Sequence, residues 1–177
     1  MIELKQHKLT PEELSQQLRH GSGEYMAQRR GIVSLSLVAI GSMGLITLYQ
    51  MGVIKHLPEP PIPGLDADKV DASSEAYSRF STPDGILGVG NYAITMGLAA
   101  MGGQERARHQ PWIPLLLAAK VGFDVSQAIR LFFDQKTKQR AFCSWCLLAA
   151  STTLAIVPLT IPETLAAIRE LKQRVQS

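Results

Sequence analysis

Cysteine is scarce in this chain, whose 177 residues include only Cys143 and Cys146. Two cysteines cannot form the multi-bridge framework of a small extracellular scaffold, and they cannot fill the four-ligand shell of a structural zinc site. The four histidines are scattered over links and the N-terminal tail, so the sequence predicts no metal site; they are His7, His20, His56 and His109.

Other kinds of site are missing as well. No glycine-rich dinucleotide loop follows a strand pattern and no P-loop is present, so no nucleotide site is predicted. The net charge of +3 is not arranged as a basic stripe with interleaved aromatic residues, which argues against nucleic acid as a partner. No signal peptide is expected, because the first apolar block begins only at Gly31 and ends without a small-residue cleavage site.

Apolar residues are concentrated in four blocks, and the charged residues lie in the tails and links between them. The first block carries no charge over roughly 23 positions, enough for about 34 Å of helix, and therefore predicts a transmembrane helix. Gly41 and Gly44 lie on one side of it and predict a close helix approach. The blocks span residues 31–53, 86–101, 111–133 and 141–161.

The third block is interrupted by polar side chains. Lys120 and Asp124 are four residues apart, so they are expected to pair on one helix face within the bundle. The alternative is a helix that lies half out of the membrane.

These patterns predict an all-α membrane protein, a four-transmembrane-helix bundle with a long outer loop between helices 1 and 2. Residues 1–30 would form a polar cytoplasmic tail with a short amphipathic helix, which begins at the capping sequence Thr10-Pro11-Glu12-Glu13. Residues 31–161 would form the membrane domain, and residues 162–177 an amphipathic cytoplasmic tail that is helical.

The long link from Lys55 to Gly85 is rich in proline and in acidic residues, as expected of a non-cytoplasmic loop. Within it, residues 71–80 are predicted to form a short helix that presents an apolar face of Ala76, Tyr77 and Phe80. Basic residues near the other ends of the blocks predict the opposite, cytoplasmic side; they are Arg29, Arg30, Arg106, Arg108 and those of the C-terminal tail.

The two cysteines are spaced C-x-x-C at the start of the fourth block. Residues one helical turn apart lie on the same side of a helix, so a disulfide could form and break with little backbone movement. A helix N-terminus also favours the thiolate of the first cysteine. The spacing therefore indicates a redox pair on the outer side, although cysteine can also be a merely apolar residue of a helix interior.

Four spans, a long outer loop and a C-x-x-C that opens the fourth span resemble the vitamin K epoxide reductase family, whose bacterial members are quinone-linked disulfide-forming enzymes of the inner membrane. The resemblance covers about residues 31–161 and is most specific over Phe142-Cys143-Ser144-Trp145-Cys146-Leu147. The loop segment 73–77, the Thr82-Pro83 turn and the Leu87-Gly88 pair are also similar to the family's loop half-helix and second span.

The resemblance implies a membrane thiol–disulfide oxidoreductase of the bacterial cytoplasmic membrane, with its cysteines on the periplasmic side. Cys146 would face a quinone (ubiquinone or menaquinone), and Cys143 would exchange with a thioredoxin-like or DsbA-like protein. Phe142 and Trp145 would wall the quinone pocket. Asn91 and Tyr92 would offer hydrogen bonds to a quinone oxygen, and Trp145 is equally compatible with an interfacial belt residue.

One departure from the family is the loop, because residues 55–85 lack the second cysteine pair that usually relays electrons. An alternative function is therefore a structural or accessory subunit of a larger membrane complex that keeps the fold without the full activity. A soluble thioredoxin-like domain is disfavoured, since no alternating strand pattern surrounds the C-x-x-C.

Overall fold

The structure, a computed structural model, describes residues 9–176. Regular structure in this range is helical, and the only strand-like pairing in it is a single parallel bridge between Leu65 and Phe142. The prediction of an all-α chain is confirmed. The helices are α1 (Pro11–His20), α2 (Met26–Gln50), α3 (Ala67–Asp71), α4 (Asp84–Ala100), α5 (Arg106–His109), α6 (Trp112–Asp134) and α7 (Ser144–Gln176), with a 3₁₀ turn at Ser74–Tyr77 and a π-helical turn at Gln135–Gln139.

Helices α2, α4, α6 and α7 pack into one bundle, in which α2 contacts α4 and α7, and α6 packs against α7. One buried apolar cluster lies at the end that carries the cysteines and includes Met43, Ile46 and Tyr92. A second lies towards the opposite end and is formed by Ile32, Leu98, Ala99, Leu117, Val121 and Ile156.

Glycines bring two helices together, but not the ones predicted. A Cβ at Gly88 of α4 would lie 2.5 Å from the sulfur of Met43, and one at Gly85 would lie 2.9 Å from the backbone nitrogen of Thr47. No atom lies within 4 Å of the corresponding positions of Gly41 and Gly44. The prediction for those two residues was wrong, because the close approach of α2 and α4 is provided by the glycines of α4.

Within the described range, α2 and α7 are the helices that are long and apolar enough to cross a membrane. Helix α4 has 17 residues, about 25 Å at 1.5 Å per residue, which is shorter than a hydrocarbon core of about 30 Å. Helix α6 carries Lys120, Asp124, Arg130 and Asp134 along its length. Four spans therefore remain a prediction, whereas the four packed helices are observed.

Basic residues hold together the end of the bundle remote from the cysteines. The Arg29 guanidinium donates to the carbonyls of residues 99–103, which are exposed where α4 ends. Arg106 forms a bidentate ion pair with Glu163, with both N–O distances 2.7 Å. Arg29 and Arg106 thus lie at one end of the bundle, as the charge pattern predicted.

Helix α7 joins the fourth apolar block to the C-terminal tail without a break, because it continues through Pro158 and Pro162 as far as Gln176. A proline removes one backbone donor from a helix and usually ends or kinks it. Here Glu163 follows directly and is held in the interior by Arg106, so packing keeps the chain helical beyond residue 161.

The N-terminal cap was predicted correctly. Thr10 accepts the backbone N–H of Glu13 at 3.2 Å, and the Glu13 carboxylate accepts the N–H of Thr10 at 2.9 Å. This reciprocal pair is a capping box, and Pro11 begins α1.

The outer loop folds differently from the helix predicted over residues 71–80. Its helix, α3, lies earlier and is capped by Asp66, whose side chain accepts the N–H of Lys69 at 2.9 Å. Only the 3₁₀ turn falls in the predicted range. Ala76 is buried but Phe80 is 89% exposed, so the predicted apolar face does not form.

Candidate active site

The two cysteines lie at the start of α7 and are both buried, free thiols. Cys143 directly precedes the helix and caps it, because its sulfur accepts the backbone N–H of Cys146 at 3.1 Å. The predicted geometry of two thiols one helical turn apart is therefore present. The backbone N–H of Cys143 is in turn held by the side chain of Gln135, with an N–O distance of 3.2 Å.

A third reactive group, the carboxylate of Asp71, reaches the cysteines from the outer loop. The Cys146 thiol donates to Asp71 Oδ1 at 3.5 Å, and the two sulfurs and one carboxylate oxygen all lie within 4.8 Å of one another. Three such atoms are one fewer than a structural zinc site uses. We therefore describe the site as a dithiol with an adjacent carboxylate.

Burial governs the ionisation of Asp71, which is 1% exposed. Desolvation raises the pKa of its carboxyl to about 7; a hydrogen bond with Cys143 opposes the rise, and the negative charge of Asp84 adds to it. This carboxyl consequently exchanges its proton near neutral pH.

The pKa of Cys143 is affected by opposing influences. The hydrogen bond with Cys146 lowers it, but burial and the charge of Asp71 outweigh that effect, so the pKa is raised overall. The helix N-terminus does contact this thiol as predicted, yet it does not by itself produce a thiolate at neutral pH.

The outer loop covers Cys143, which is 0% exposed. Phe142 pairs with the loop in the parallel bridge, donating to Gly64 O at 2.8 Å and accepting from Asp66 N at 2.9 Å. The Trp145 indole N–H donates to Pro58 O at 2.9 Å. A soluble partner cannot touch Cys143 while these contacts persist.

A cavity of about 530 Å³ opens beside Cys146, between α2, α4, α6, α7 and the outer loop. Asn91, Tyr92, Asp124 and Ala150 are among the residues that line it, together with apolar side chains of α2 and α4. The volume lies within the range of small-molecule sites, about 300–1,000 Å³. A group bound here would lie next to Cys146.

The residues predicted to contact a quinone divide into two pairs. Asn91 and Tyr92 line the cavity, whereas Phe142 and Trp145 are not among its lining residues. Both contact the loop, and the Phe142 ring lies 5.3 Å from the Phe132 ring between centroids. The Tyr92 hydroxyl is already bonded to α7, at 3.0 Å from Ala149 O and 2.8 Å from Thr153 Oγ1.

Comparison with protein families decides the classification. The model of the vitamin K epoxide reductase family matches residues 31–161, most of the chain. The chain belongs to this family. No curated protein and no solved structure matches it significantly.

Membership in the vitamin K epoxide reductase family gives the geometry a chemical context. The family has a membrane fold, and helices α2 and α7 of this chain suit a membrane protein by length and composition. The family also supports thiol oxidoreductase activity, for which Cys143 and Cys146 are the two cysteines available.

Two residues of this vitamin K epoxide reductase family protein were missed by sequence reasoning, Asp71 and Glu59. Both lie in a link with an acidic excess, where no local pattern distinguishes one carboxylate from another. Asp71 contacts Cys146, 75 residues away, and the Glu59 carboxylate accepts the backbone N–H of Ser144, 85 residues away. Only the folded loop brings these two acids to α7.

Proposed function

We propose that this protein is a membrane thiol–disulfide oxidoreductase that passes electrons between its C-x-x-C pair and a quinone. The observation that carries the proposal is the position of Cys146, which has Cys143 on one side and the 530 Å³ cavity on the other. A dithiol that borders a cavity inside a helix bundle is accessible to a lipid-soluble electron acceptor.

The cavity suits the head group of a quinone such as ubiquinone or menaquinone. Its walls combine apolar side chains with many polar and charged groups, among them Asn91 and Asp124, which are joined by a hydrogen bond of 3.1 Å. Apolar wall groups can pack against a quinone ring, and polar ones can form hydrogen bonds with its oxygens. When bound, the quinone would supply a two-electron acceptor, while the chain's own residues hold the thiols beside it.

The thiols have separate roles in this proposal. Cys146 faces the cavity, so it is the thiol next to the quinone, and Cys143 is the thiol that exchanges with a protein partner. The partner would be a thioredoxin-like or DsbA-like protein on the outer side, in which a disulfide is formed. Because the loop covers Cys143, exchange requires the segment around Glu59 to move away from α7.

We also propose the bacterial cytoplasmic membrane as the location, with the cysteines on the periplasmic side. Arg29 and Arg106 lie at the end of the bundle remote from the acidic loop, and positive charges favour the cytoplasmic side. Four membrane spans fit this arrangement, since α4 and α6 also present exposed apolar side chains, such as Ile94 and Phe123.

A second candidate function is an accessory subunit of a larger membrane complex. Two observations favour it: the loop lacks a relay cysteine pair, and Cys143 is completely covered. In that case Cys143 and Cys146 would not alternate between the dithiol and the disulfide while the protein functions.

The thiol state of the purified protein in lipid nanodiscs separates the two functions. After mild reduction, the protein is incubated with a short-chain ubiquinone or menaquinone analogue, and its free thiols are counted by mass-tag alkylation. Oxidoreductase function predicts conversion of the dithiol to a disulfide, and Cys143→Ser and Cys146→Ser should each abolish it. A thiol state that is indifferent to both quinones favours the accessory subunit.

A further inference from the structure

The Asp71 side chain is a buried carboxylate with one oxygen on the Cys146 thiol and the other unused. Oδ1 accepts from the thiol at 3.5 Å, and Oδ2 is buried without a hydrogen-bond partner among the residues that the structure describes. A buried acceptor without a partner is costly and calls for an explanation. We propose that Asp71 is the proton acceptor of the Cys146 thiol in the reaction of the dithiol, a role that rests on the proposed function.

Gln50 of α2 holds Asp71 in place through a hydrogen bond to its backbone carbonyl. Asp71 is the last residue of α3, and its carbonyl accepts from Gln50 Nε2 at 3.2 Å. The same amide nitrogen donates to Asp84 Oδ1 at 2.7 Å, so α2 and α4 both fix the end of α3. The carboxylate therefore reaches the thiol from a position set by three elements.

The titratable groups around Asp71 come from each neighbouring element. Cys143 and Cys146 belong to the start of α7, Asp84 to α4, Glu59 to the loop and Tyr49 to α2. The charged ones, Asp84 and Glu59, are acids like Asp71, and they favour its protonated form. The resulting pKa of about 7 suits a group that must gain and lose a proton at neutral pH.

The proposed step is balanced in atoms and electrons. Oxidation of the pair breaks two S–H bonds and forms one S–S bond, and two electrons and two protons pass to the quinone, which becomes a quinol. Asp71 takes the Cys146 proton and leaves a thiolate, the form that reacts. Asp71 then passes this proton to one oxygen of the quinone and returns to the carboxylate form. The Cys143 proton is the second of the two protons that convert the quinone to the quinol.

A purely electrostatic role for Asp71 predicts the opposite effect of substitution. The negative charge of Asp71 raises the pKa of Cys143, so its removal makes the thiolate easier to form. If charge were all that mattered, Asp71→Asn would speed up oxidation. If Asp71 accepts the proton, the same variant slows oxidation even though its thiols ionise more readily.

The test measures the rate of dithiol oxidation in the full-length protein in nanodiscs, with a soluble short-chain quinone, at pH values on both sides of about 7. Oxidation of the wild type should become faster as the pH rises through this value, since only the carboxylate form of Asp71 can accept a proton. Above this pH, oxidation of Asp71→Asn should be about 100-fold slower than that of the wild type, which is the lower end of general-base effects. The rate of this variant should also show no inflection near pH 7. Asp71→Glu should restore part of the rate.

Two measurements keep the result interpretable. Glu12→Gln removes one negative charge from an exposed position of α1, away from the cavity, and should leave the rate unchanged. Thiolate absorbance in the ultraviolet, followed against pH, should show ionisation at lower pH in Asp71→Asn than in the wild type. A rate of Asp71→Asn equal to or above that of the wild type overturns the proposal.

Failure of the proposed function has a different signature. If quinone fails to oxidise the wild type, the rates at which the wild type and the same variants react with dithiodipyridine are measured instead. This reagent is a small apolar disulfide that the Cys146 thiol attacks. The proton must still leave Cys146 in that reaction, so a slower Asp71→Asn with no inflection near pH 7 supports the role of Asp71. Equal rates for the two proteins contradict it.

Discussion

Glu59 connects the outer loop directly to Ser144, the first residue of α7. One of its carboxylate oxygens accepts the backbone N–H of Ser144 at 2.7 Å, and the other accepts the N–H of Ala67 at 2.7 Å. One side chain thus satisfies a free donor at the start of α7 and another at the start of α3. Because Cys143 is adjacent to Ser144, this contact closes the loop over the outer thiol.

Replacement of Glu59 should expose Cys143. Hydrogen bonds to a charged group contribute about 1.5–3 kcal/mol each, so losing two should make opening of the loop at least about tenfold more frequent. We expect Glu59→Ala to raise the rate of maleimide labelling of Cys143 by that factor in a Cys146→Ser background. Glu75→Ala, an exposed acid of the same loop, should leave labelling unchanged, and equal labelling in all three proteins would contradict the prediction.

Local sequence signals predicted much of this fold because they act within one or two helical turns. The capping box at Thr10, the ion pair of Lys120 with Asp124 and the side-by-side thiols each depend on residues three or four apart. Their geometry follows once a helix forms.

The rest depends on contacts between distant residues. Asp71 and Glu59 become part of the site only because the loop folds back on α7. The glycines that allow close helix approach were predicted on α2, but they lie on α4. Helix α7 continues without a break through Pro162, where the fourth apolar block ends, and Arg106 holds Glu163 directly beyond that point. Tertiary packing outweighed the local rule in each case.

Filling the cavity should block quinone without harming the thiols. Ala150 lines the cavity, whereas Leu148, two residues earlier, is exposed on the outside of α7. We expect Ala150→Phe to reduce quinone-dependent oxidation at least about tenfold, the loss that corresponds to 1.4 kcal/mol of binding. Leu148→Phe is the matched control and should keep the wild-type rate. Oxidation by a small reagent such as diamide should be similar in both, which would place the defect at the quinone step.

The Lys120–Asp124 pair should be essential to the stability of the bundle. Lys120 Nζ lies 2.5 Å from Asp124 Oδ2 and also donates to Asn91 O and Thr95 Oγ1. Breaking a buried pair costs about 3–5 kcal/mol, because it leaves one charge uncompensated. Asp124→Asn should therefore lower the thermal midpoint in detergent markedly.

Two comparisons check this reading of the pair. Asp134→Asn removes an acid from more exposed ion pairs on the same helix and should cost no more than about 1 kcal/mol. Lys120→Met combined with Asp124→Asn should recover stability relative to Asp124→Asn alone. A double variant less stable than that single variant would mean that Lys120 stabilises the bundle without its partner.

Arg106 should not be replaceable by lysine. Its guanidinium binds both oxygens of Glu163 and also the carbonyls of residues 98, 99 and 101, an arrangement that a lysine ammonium cannot reproduce. Arg106→Lys should cost about 2–3 kcal/mol, the loss of one or two charged hydrogen bonds. Arg108→Lys, an exposed position of the same short helix, should be neutral in the same thermal denaturation measurement, and a similar loss in both would contradict a specific role of Arg106.

Asp71 should make the stability of the protein depend on pH. Its carboxyl has a pKa of about 7 when folded and 3.8 as the reference value, so between these values the folded state keeps a proton that the unfolded state has released. Stability therefore falls as the pH rises from about 4 to about 7, by on the order of 4 kcal/mol at 1.36 kcal/mol per pKa unit. Asp71→Asn removes this penalty, since asparagine carries no charge to bury.

Thermal midpoints of the wild type and Asp71→Asn, measured in detergent against pH, test this effect. We expect similar midpoints near pH 4 and a higher midpoint for the variant above about pH 7. The difference should be complete before the thiols ionise, since burial raises the pKa of Cys143. Glu75→Gln should follow the wild-type curve, because its carboxylate is exposed in both states. A variant less stable than the wild type at high pH would mean that the Asp71 carboxylate is held by a stabilising partner, and burial would then no longer explain its raised pKa.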